Sequence, residues 1–321
     1  MKHKVVLTEA DLSGGWAIEE KMLADADAEL VVLNSTDPDI IVEAASDADA
    51  LVVSYASIDA DVISKLKKCK SVSKLGIGVN NIDVEAATKA GIRVMNAPSY
   101  CIEEVSDMIV AHTLSLTRGV PFYWNNIRNG KWSREGCNTA VRLCGKVFGF
   151  MGYGKIARRT AEKIRAFGMK RVAYDPYLTK DAAAAAGAEL MELDDMLACA
   201  DVISMNLPLT EETTGILNKE FFRKMKSSAV LINTARGPML NEKDFCEAIL
   251  SGEIAGAGLD VLCKEAYDPE NPIFNLPNVV ITPHAAFYSP EAILDLRDEV
   301  FTDVVRVLKG EEPLYQLNRK K

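Results

Sequence analysis

The chain has 321 residues, 48% of them hydrophobic and 26% charged, which is the profile of a globular protein too long for a single core. Its net charge of −9 argues against a nucleic-acid partner, because binding to phosphates needs a concentrated positive field. No apolar run approaches the roughly 18 residues of a membrane span. Seven cysteines without a CxxC pair favour free thiols in a reducing cytosol over disulfides or a zinc site. We therefore expect a cytoplasmic protein of two domains, with no bound metal and no membrane partner.

The front of the chain alternates short β-branched runs with helix-like segments, as in a parallel sheet built from βα repeats. Acidic residues soon interrupt the first apolar run, so it is predicted to be a β-strand and not part of a signal peptide. Five strands are predicted, at 4–8, 30–34, 50–55, 74–79 and 93–97. Together they are sufficient for a small doubly wound domain.

A long helix is predicted from about Ile102 to Arg118, because Val105, Ile109 and Leu116 share one side of it. The aromatic segment that follows, 120–136, is predicted to be irregular. Six more strands are predicted at 146–151, 171–175, 201–208, 229–235, 256–261 and 279–283, and an amphipathic helix at 290–308. This second series predicts a second doubly wound domain, with ligands bound between the two domains at the carboxyl ends of the strands.

The sequence "GYGKIA" at 152–157 fits the pattern G-x-G-x-x-G/A between a strand and a helix. Such glycines allow a tight turn and let the backbone approach a pyrophosphate, which the helix amides then bind. The motif alone is weak, but the next strand ends in Asp175, 21 residues beyond Gly154. A carboxylate there accepts hydrogen bonds from ribose hydroxyls and repels a 2′-phosphate, so NAD is predicted in preference to NADP. The alternative is that Asp175 only shapes the turn before Pro176.

Several later strands end in residues that buried strands seldom contain. His284 follows one strand, and its imidazole can exchange protons near neutral pH. Arg236 follows another, where its planar fork could bind a carboxylate or join a surface ion pair. Asp260 lies in a nearly apolar strand. His112, in contrast, shares the apolar face of the long helix and is predicted to be packed, while Glu265 looks structural in its polar loop.

The order of these motifs resembles that of the D-2-hydroxyacid dehydrogenase family over essentially the whole chain. The resemblance is carried by the glycine turn, "TARG", "LDV…E" and "TPH", with support from "GIGVNNID" (76–83), "EEVSD" (103–107), "YDPY" (174–177) and "NLPLTEET" (206–213). It implies two α/β domains, each a doubly wound parallel sheet. Residues 1–99 and 288–321 would form a flavodoxin-like substrate domain, and residues 100–287 an inserted Rossmann domain for NAD.

The resemblance also implies an NAD-dependent reduction of a 2-oxo acid, or the reverse oxidation. His284 would give a proton to the carbonyl oxygen as hydride arrives from NADH, and Glu265 would orient the imidazole and favour its protonated form. Arg236 would bind the substrate carboxylate, and Asp260 the nicotinamide carboxamide. The predicted cofactor set is Gly152, Tyr153, Gly154, Lys155, Ile156, Asp175, Leu207, Pro208, Thr213, Thr234, Ala235, Arg236, Asp260 and His284. The predicted substrate set is Tyr55, Ile77, Gly78, Tyr100, Arg236 and Phe287.

Within the family, "HAAFYS" and "VVSYAS" look most like the branch that contains the eukaryotic C-terminal-binding-protein corepressors. There an aromatic residue follows the histidine by three positions, and here that residue is Phe287. With Tyr55 and Tyr100 it is predicted to line the side-chain end of the substrate pocket. The alternative is ordinary packing between the domains. Asn80 and Pro238 depart from the usual family motifs, but neither replaces a catalytic group.

Two other functions stay open at this point. One is a nucleotide-sensing scaffold like the corepressors, with weak catalysis. The other is a formate or phosphite dehydrogenase, although Glu265 weighs against the formate branch, which the resemblance associates with glutamine at this place. Family members commonly form homodimers through their cofactor domains, so the helix 102–118 and the aromatic segment after it are predicted to form an interface.

Overall fold

The computed structural model of the protein describes residues 2–9 and 15–319. The chain forms two compact units: a terminal unit of residues 1–101 and 289–321, and a central unit of residues 102–288. The predicted domain boundaries lie within two residues of these. Each unit is a parallel sheet with helices, which confirms the predicted fold class. In the described parts of the chain, no helix is long and apolar enough to span a membrane.

The terminal unit is built on a parallel sheet whose strand order is that of flavodoxin-like folds. Its strands are β1 (His3–Leu7), β2 (Ala28–Val32), β3 (Ala50–Val53), β4 (Ser71–Lys74) and β5 (Arg93–Met95). Its helices are α1 (Ala17–Ala24), α2 (Pro38–Ala45), α3 (Ala60–Lys65), α4 (Val84–Lys89) and the C-terminal helix (Pro290–Leu308). Among the described residues the strand order is β2-β1-β3-β4-β5. Alternate residues of β1 face opposite sides of the sheet. Val6 packs on the side of α2 and α3. Val5 and Leu7 pack on the side of α1 and the C-terminal helix.

The predicted strand at 74–79 is wrong, because β4 ends at Lys74, where that prediction begins. The chain leaves the sheet at Gly76, whose φ of 145° is a conformation that residues with a side chain rarely adopt. The segment that follows is therefore a loop at the carboxyl edge of the sheet.

A buried ion pair fastens the C-terminal helix to α1. Nε and Nη2 of Arg297 each lie 2.5 Å from a carboxylate oxygen of Glu19, and both side chains are almost fully buried. The guanidinium also donates to the carbonyl oxygen of Gly15 and lies over the ring of Trp16. Fork geometry and additional partners offset the desolvation cost of burying two charges. The pair thereby ties the last helix of the chain to the first.

The central unit has a longer parallel sheet. Its strands are β6 (Val147–Met151), β7 (Lys170–Tyr174), β8 (Glu189–Leu190), β9 (Val202–Met205), β10 (Val230–Asn233), β11 (Gly256–Leu259) and β12 (Val279–Ile281). Its helices are α5 (Ile102–Thr117), α6 (Val120–Arg128), α7 (Lys155–Arg165), α8 (Lys180–Ala185), α9 (Leu193–Cys199), α10 (Lys219–Lys224) and α11 (Glu242–Ser251), with short 3₁₀ helices at Gly237–Met239 and Pro272–Asn275. The strand order, β12-β11-β10-β9-β6-β7-β8 in the described residues, contains the arrangement of dinucleotide-binding folds.

Helix α5 confirms the predicted long helix, and Val105, Ile109 and Leu116 are buried as expected. The irregular segment predicted at 120–136 is wrong over its first part, because Val120–Arg128 is helical, whereas residues 129–136 contain no helix or strand. Pro121 lies in the first turn of that helix, where a missing N–H removes no intrahelical hydrogen bond. Strand β8 was not predicted, since two residues carry no periodic pattern.

We expect that Glu19→Leu will lower the free energy of unfolding by about 3 kcal/mol, because it leaves a buried guanidinium without its carboxylate. Urea denaturation at equilibrium measures the change. Glu85→Gln is the control, since Glu85 pairs with Lys89 on the surface and such exposed pairs contribute about 0.5 kcal/mol or less. Equal losses in the two variants would show that the Glu19–Arg297 pair does not stabilise the unit.

Candidate active site

The glycine turn joins β6 to α7 and leaves space in front of the helix. Gly152 has a φ of 86°, and an added Cβ would lie 3.0 Å from the carbonyl oxygen of Asn206, so both conformation and space require glycine. An added Cβ at Gly154 would meet no atom within 4 Å. Gly154 directly precedes Lys155, the first residue of α7, so backbone amides at the positive end of the helix border this space. The turn therefore fits the pyrophosphate of a dinucleotide.

Asp175 follows β7 and lies beside the glycine turn. Its Oδ2 accepts a hydrogen bond from the backbone N–H of Tyr153 at 2.9 Å, and its Oδ1 accepts one from the N–H of Tyr177 at 2.9 Å. Each carboxylate oxygen has a further lone pair, so the half-buried acid can still accept bonds from the hydroxyls of a ligand. The buried Tyr153 donates its hydroxyl to the carbonyl oxygen of Ala186. This contact fixes the turn beside its acid.

Most of the remaining predicted cofactor residues lie in loops at the same edge of the sheet. Leu207 and Pro208 follow β9, and the Leu207 side chain comes within 3.0 Å of the position that a Cβ on Gly152 would occupy. Thr213 donates its hydroxyl to the carbonyl oxygen of Pro208 at 2.8 Å, so it shapes this loop. Thr234 and Ala235 follow β10, and Ile156 lies in the first turn of α7.

Arg236 lies in the turn after β10, and a buried asparagine fixes that turn. Nδ2 of Asn233 donates to the carbonyl oxygen of Arg236 at 3.2 Å, and its Oδ1 accepts from the N–H of Ala235 at 3.0 Å. The half-buried guanidinium donates to the carbonyl oxygen of Ala235. Gly237 packs so closely on the chain after β11 that a Cβ would lie 2.0 Å from the carbonyl oxygen of Leu262. Asn233 is not among the residues predicted for the site, although a polar residue that ends an apolar strand is a usable signal.

His284 and Glu265 form a hydrogen-bonded pair. Nδ1 of the imidazole lies 2.8 Å from Oε2 of the carboxylate, and the two side chains are 33% and 43% exposed, so a ligand can reach them. A carboxylate at Nδ1 favours the tautomer protonated there and leaves Nε2 to exchange a proton with a bound molecule. The ring of Phe287 meets the imidazole edge-on, with centroids 6.1 Å apart. The pair thus has the geometry of an oriented acid or base.

Asp260 lies directly after β11, which ends at Leu259 and is therefore shorter than the predicted strand at 256–261. Its carboxylate is buried and accepts hydrogen bonds from the hydroxyl of Thr282 and from the N–H groups of Ala285 and Ala286. Its carbonyl oxygen accepts the N–H of His284 at 2.8 Å. His284 has a φ of 51°, a conformation that costs a residue with a side chain about 1–3 kcal/mol. Asp260 therefore holds residues 282–286, the histidine loop, in a conformation that is strained at His284. The predicted contact of Asp260 with the nicotinamide carboxamide stays a prediction.

The other predicted substrate residues belong to the terminal unit and lie in loops at the carboxyl edge of its own sheet. Tyr55 follows β3 and is exposed, and Tyr100 lies just beyond β5. Ile77 and Gly78 follow β4. The buried Asn96 donates a hydrogen bond to the carbonyl oxygen of Ile77 at 2.7 Å, and this bond fixes the peptide group that joins Ile77 to Gly78. The substrate contacts of these residues stay predictions.

Comparisons with known proteins agree with this geometry. The family model of the D-isomer specific 2-hydroxyacid dehydrogenase NAD binding domain matches residues 110–286. The D-3-phosphoglycerate dehydrogenase of Archaeoglobus fulgidus is 38% identical over 248 residues, which are 77% of this chain and 47% of that protein. The glyoxylate reductase of Korarchaeum cryptofilum is 34% identical over 256 residues, which are 79% of this chain and 77% of that protein.

A solved structure of D-lactate dehydrogenase from Aquifex aeolicus, complexed with NAD and lactic acid, is 27% identical with a TM-score of 0.89. The match covers 99% of this chain and 100% of that one. The chain spans about half the length of the D-3-phosphoglycerate dehydrogenases that it matches. The chain belongs to the D-isomer specific 2-hydroxyacid dehydrogenase family, and the predicted NAD-binding domain is confirmed.

Proposed function

We propose that the protein is an NAD-dependent D-2-hydroxyacid dehydrogenase that reduces small or medium 2-oxo acids. The proposal depends chiefly on the His284–Glu265 pair, whose hydrogen bond is 2.8 Å long. Arg236, Glu265 and His284 follow β10, β11 and β12, which are neighbours in the sheet, so all three groups lie at one edge. The similarity to a glyoxylate reductase and to a D-lactate dehydrogenase solved with lactic acid supports a small 2-hydroxy acid as the product.

Proton transfer is the task of the His284–Glu265 pair. NADH, when bound, supplies the hydride that reaches the carbonyl carbon. His284 donates the proton from Nε2 to the carbonyl oxygen, so that a hydroxyl group forms and the imidazole becomes neutral. Glu265 accepts the hydrogen bond from Nδ1 and so orients the imidazole for the transfer. In the direction of oxidation the neutral imidazole accepts the hydroxyl proton instead.

Arg236 is the proposed anchor of the substrate carboxylate. A guanidinium fork binds a carboxylate through two parallel hydrogen bonds and so fixes the orientation of the adjacent carbonyl. The two hydrogen bonds of the Asn233 side chain, to the carbonyl oxygen of Arg236 and from the N–H of Ala235, keep the backbone of this turn in place. A lysine could supply the charge but not the planar fork.

Asp175 is the proposed basis of a preference for NADH over NADPH. Its carboxylate lies beside the glycine turn. There it would accept hydrogen bonds from ribose hydroxyls and repel a 2′-phosphate.

A second copy of this chain is the proposed partner of α6. Val120, Trp124 and Ile127 are 56%, 62% and 42% exposed, and their spacing places them on one side of the helix. Trp132, just beyond the helix, is 94% exposed. An apolar surface of this kind marks an interface between proteins, and the resemblance to a family of homodimers favours self-association.

His284→Ala is expected to lower kcat for 2-oxo acid reduction at least about 100-fold, because the proton donor is lost. Binding of NADH, measured by fluorescence titration, should change by less than about threefold, since the cofactor turn is intact. His3→Ala is the control, because His3 lies in the terminal unit and pairs with Asp49. Wild-type turnover in His284→Ala would exclude this residue as the acid.

Asp175→Asn is expected to lower the ratio of kcat/KM with NADH to kcat/KM with NADPH by about tenfold or more, because the repelling charge is removed. Steady-state kinetics with both cofactors and one 2-oxo acid measures the ratio. Asp181→Asn removes an exposed carboxylate from the first turn of α8 and serves as the control for a general loss of charge. An unchanged ratio in Asp175→Asn would contradict the proposed preference.

Light scattering is expected to give a mass of twice 35.1 kDa for the wild-type protein. Replacing Trp124 with Arg and Ile127 with Glu together should shift the mass to that of one chain, because charges would then have to be buried in the interface. Tyr177→Arg, at another residue that is 94% exposed, should leave the mass unchanged. A wild-type mass of one chain would reject the homodimer.

A further inference from the structure

A series of hydrogen bonds extends from the buried His112 of α5, through the half-buried Thr282, to the buried carboxylate of Asp260. His112 of α5 is 3% exposed, and its Nε2 lies 3.2 Å from Oγ1 of Thr282. The same hydroxyl donates to Oδ1 of Asp260 at 2.5 Å. A hydroxyl has one proton to donate, and here the carboxylate receives it. The contact with His112 is therefore one in which Thr282 accepts, so Nε2 of His112 carries a proton.

The environment of His112 agrees with a neutral imidazole that donates from Nε2. Burial lowers the pKa of His112 below its ordinary value of 6.5, because a poorly solvated site disfavours the charged ring, and the nearby carboxylate of Asp260 opposes this effect. A neutral ring has one N–H donor, and the geometry assigns it to the bond with Thr282.

The sheet makes room for this imidazole. Gly258 lies in β11, and a Cβ added to it would lie 2.7 Å from Cβ and Cγ of His112. The φ of Gly258 is outside the left-handed range, so the backbone conformation does not require glycine there. Close approach of the histidine is thus the reason for a glycine in the middle of this strand.

Asp260 transmits this restraint to His284. Besides Thr282, its carboxylate binds the N–H groups of Ala285 and Ala286, and its carbonyl oxygen binds the N–H of His284. The series of hydrogen bonds that begins at His112 therefore reaches Thr282 on one side of His284 and Ala285 and Ala286 on the other.

We propose that His112 and Thr282 are positioning residues that act through Asp260 to hold the imidazole of His284 in place for proton transfer. The proposal rests on the proposed function, in which His284 is the acid. Neither side chain needs to touch the substrate or the cofactor. Their loss should therefore affect the chemical step more than the binding of either ligand.

Thr282→Val tests the proposal, because valine keeps the shape of threonine but removes the hydroxyl. We expect kcat for 2-oxo acid reduction to fall about tenfold or more, since Asp260 loses a donor and the N–H of His112 loses its acceptor. KM for the 2-oxo acid and the dissociation constant of NADH should each change by less than about threefold. Thr282→Ser, which restores a hydroxyl, should recover most of the lost kcat.

Thr113→Val is the control for the loss of a threonine hydroxyl in the same region of the central unit. Thr113 adjoins His112 on α5, is fully buried, and donates to the carbonyl oxygen of Ile109 within the helix. Its loss should lower thermal stability without changing kcat. A fall in kcat of equal size in Thr113→Val would show that the effect of Thr282→Val is one of general stability.

Substitution of His112 gives a second test if Thr282→Val does not fold. His112→Gln keeps a side-chain N–H that can reach toward Thr282, whereas His112→Leu has none. The proposal expects kcat to be retained in the glutamine variant and lost in the leucine variant. Equal activity in the two variants would overturn it.

Parallel assays of His284→Ala separate the two hypotheses. If His284→Ala turns over like the wild type, the proposed function itself fails. If His284→Ala is inactive while Thr282→Val keeps the wild-type kcat, only the positioning role fails. Lower kcat in Thr282→Val with rescue by Thr282→Ser, beside an inactive His284→Ala, is the result that supports both.

Discussion

The buried carboxylate of Asp260 is the interaction on which the candidate catalytic edge depends. A buried charge is costly unless hydrogen bonds compensate it, and Asp260 is buried directly after β11. Three donors from the loop after β12 bind this carboxylate, and its backbone carbonyl oxygen binds a fourth. The cost of burying the charge is thereby offset by the contacts that shape the loop. His284 adopts its strained backbone conformation because these contacts specify it.

Close backbone contacts supply the second constraint. Gly237 abuts the carbonyl oxygen of Leu262, and this contact joins the turn that carries Arg236 to the segment that leads to Glu265. Gly258 makes the corresponding room for His112 beneath the histidine loop. A side chain at either glycine would force these segments apart. The three proposed catalytic residues are therefore positioned by rigid neighbours, as a site of defined geometry requires.

The fold was largely predictable from the sequence, because strands that alternate with helices leave a periodic pattern, and the boundaries of α5 and the C-terminal helix followed from it. The pattern failed at 74–79, where β-like residues lie in a loop that Gly76 turns out of the sheet. It also failed at 120–128, where the aromatic composition gave no indication of α6. In both places the deciding factor was local backbone geometry, which composition does not show.

The site was predictable in part. His284, Arg236 and the anomalous Asp260 stood out because each is chemically unusual at the end of an apolar strand. Glu265 has no such signal, and only the resemblance to a family pointed to it; the structure then shows its bond to His284. Asn233 carries a weaker signal of the same kind, as a polar residue that ends an apolar strand. Thr282 acts through a contact made after folding, so a sequence pattern does not mark it. The resemblance to the corepressor branch and the roles of Tyr55 and Tyr100 stay predictions.

The most direct test of the account is to follow the transferred hydrogen. Purified protein would be incubated with NADH in which both hydrogens at C4 are deuterium, and with single 2-oxo acids from glyoxylate and pyruvate to branched and aromatic ones. The product would be analysed by mass spectrometry and chiral chromatography. The account predicts a 2-hydroxy acid that carries deuterium at C2 and, where C2 is a stereocentre through its side chain, has the D configuration. Tight binding of NADH without a deuterated product from any of these acids would contradict it.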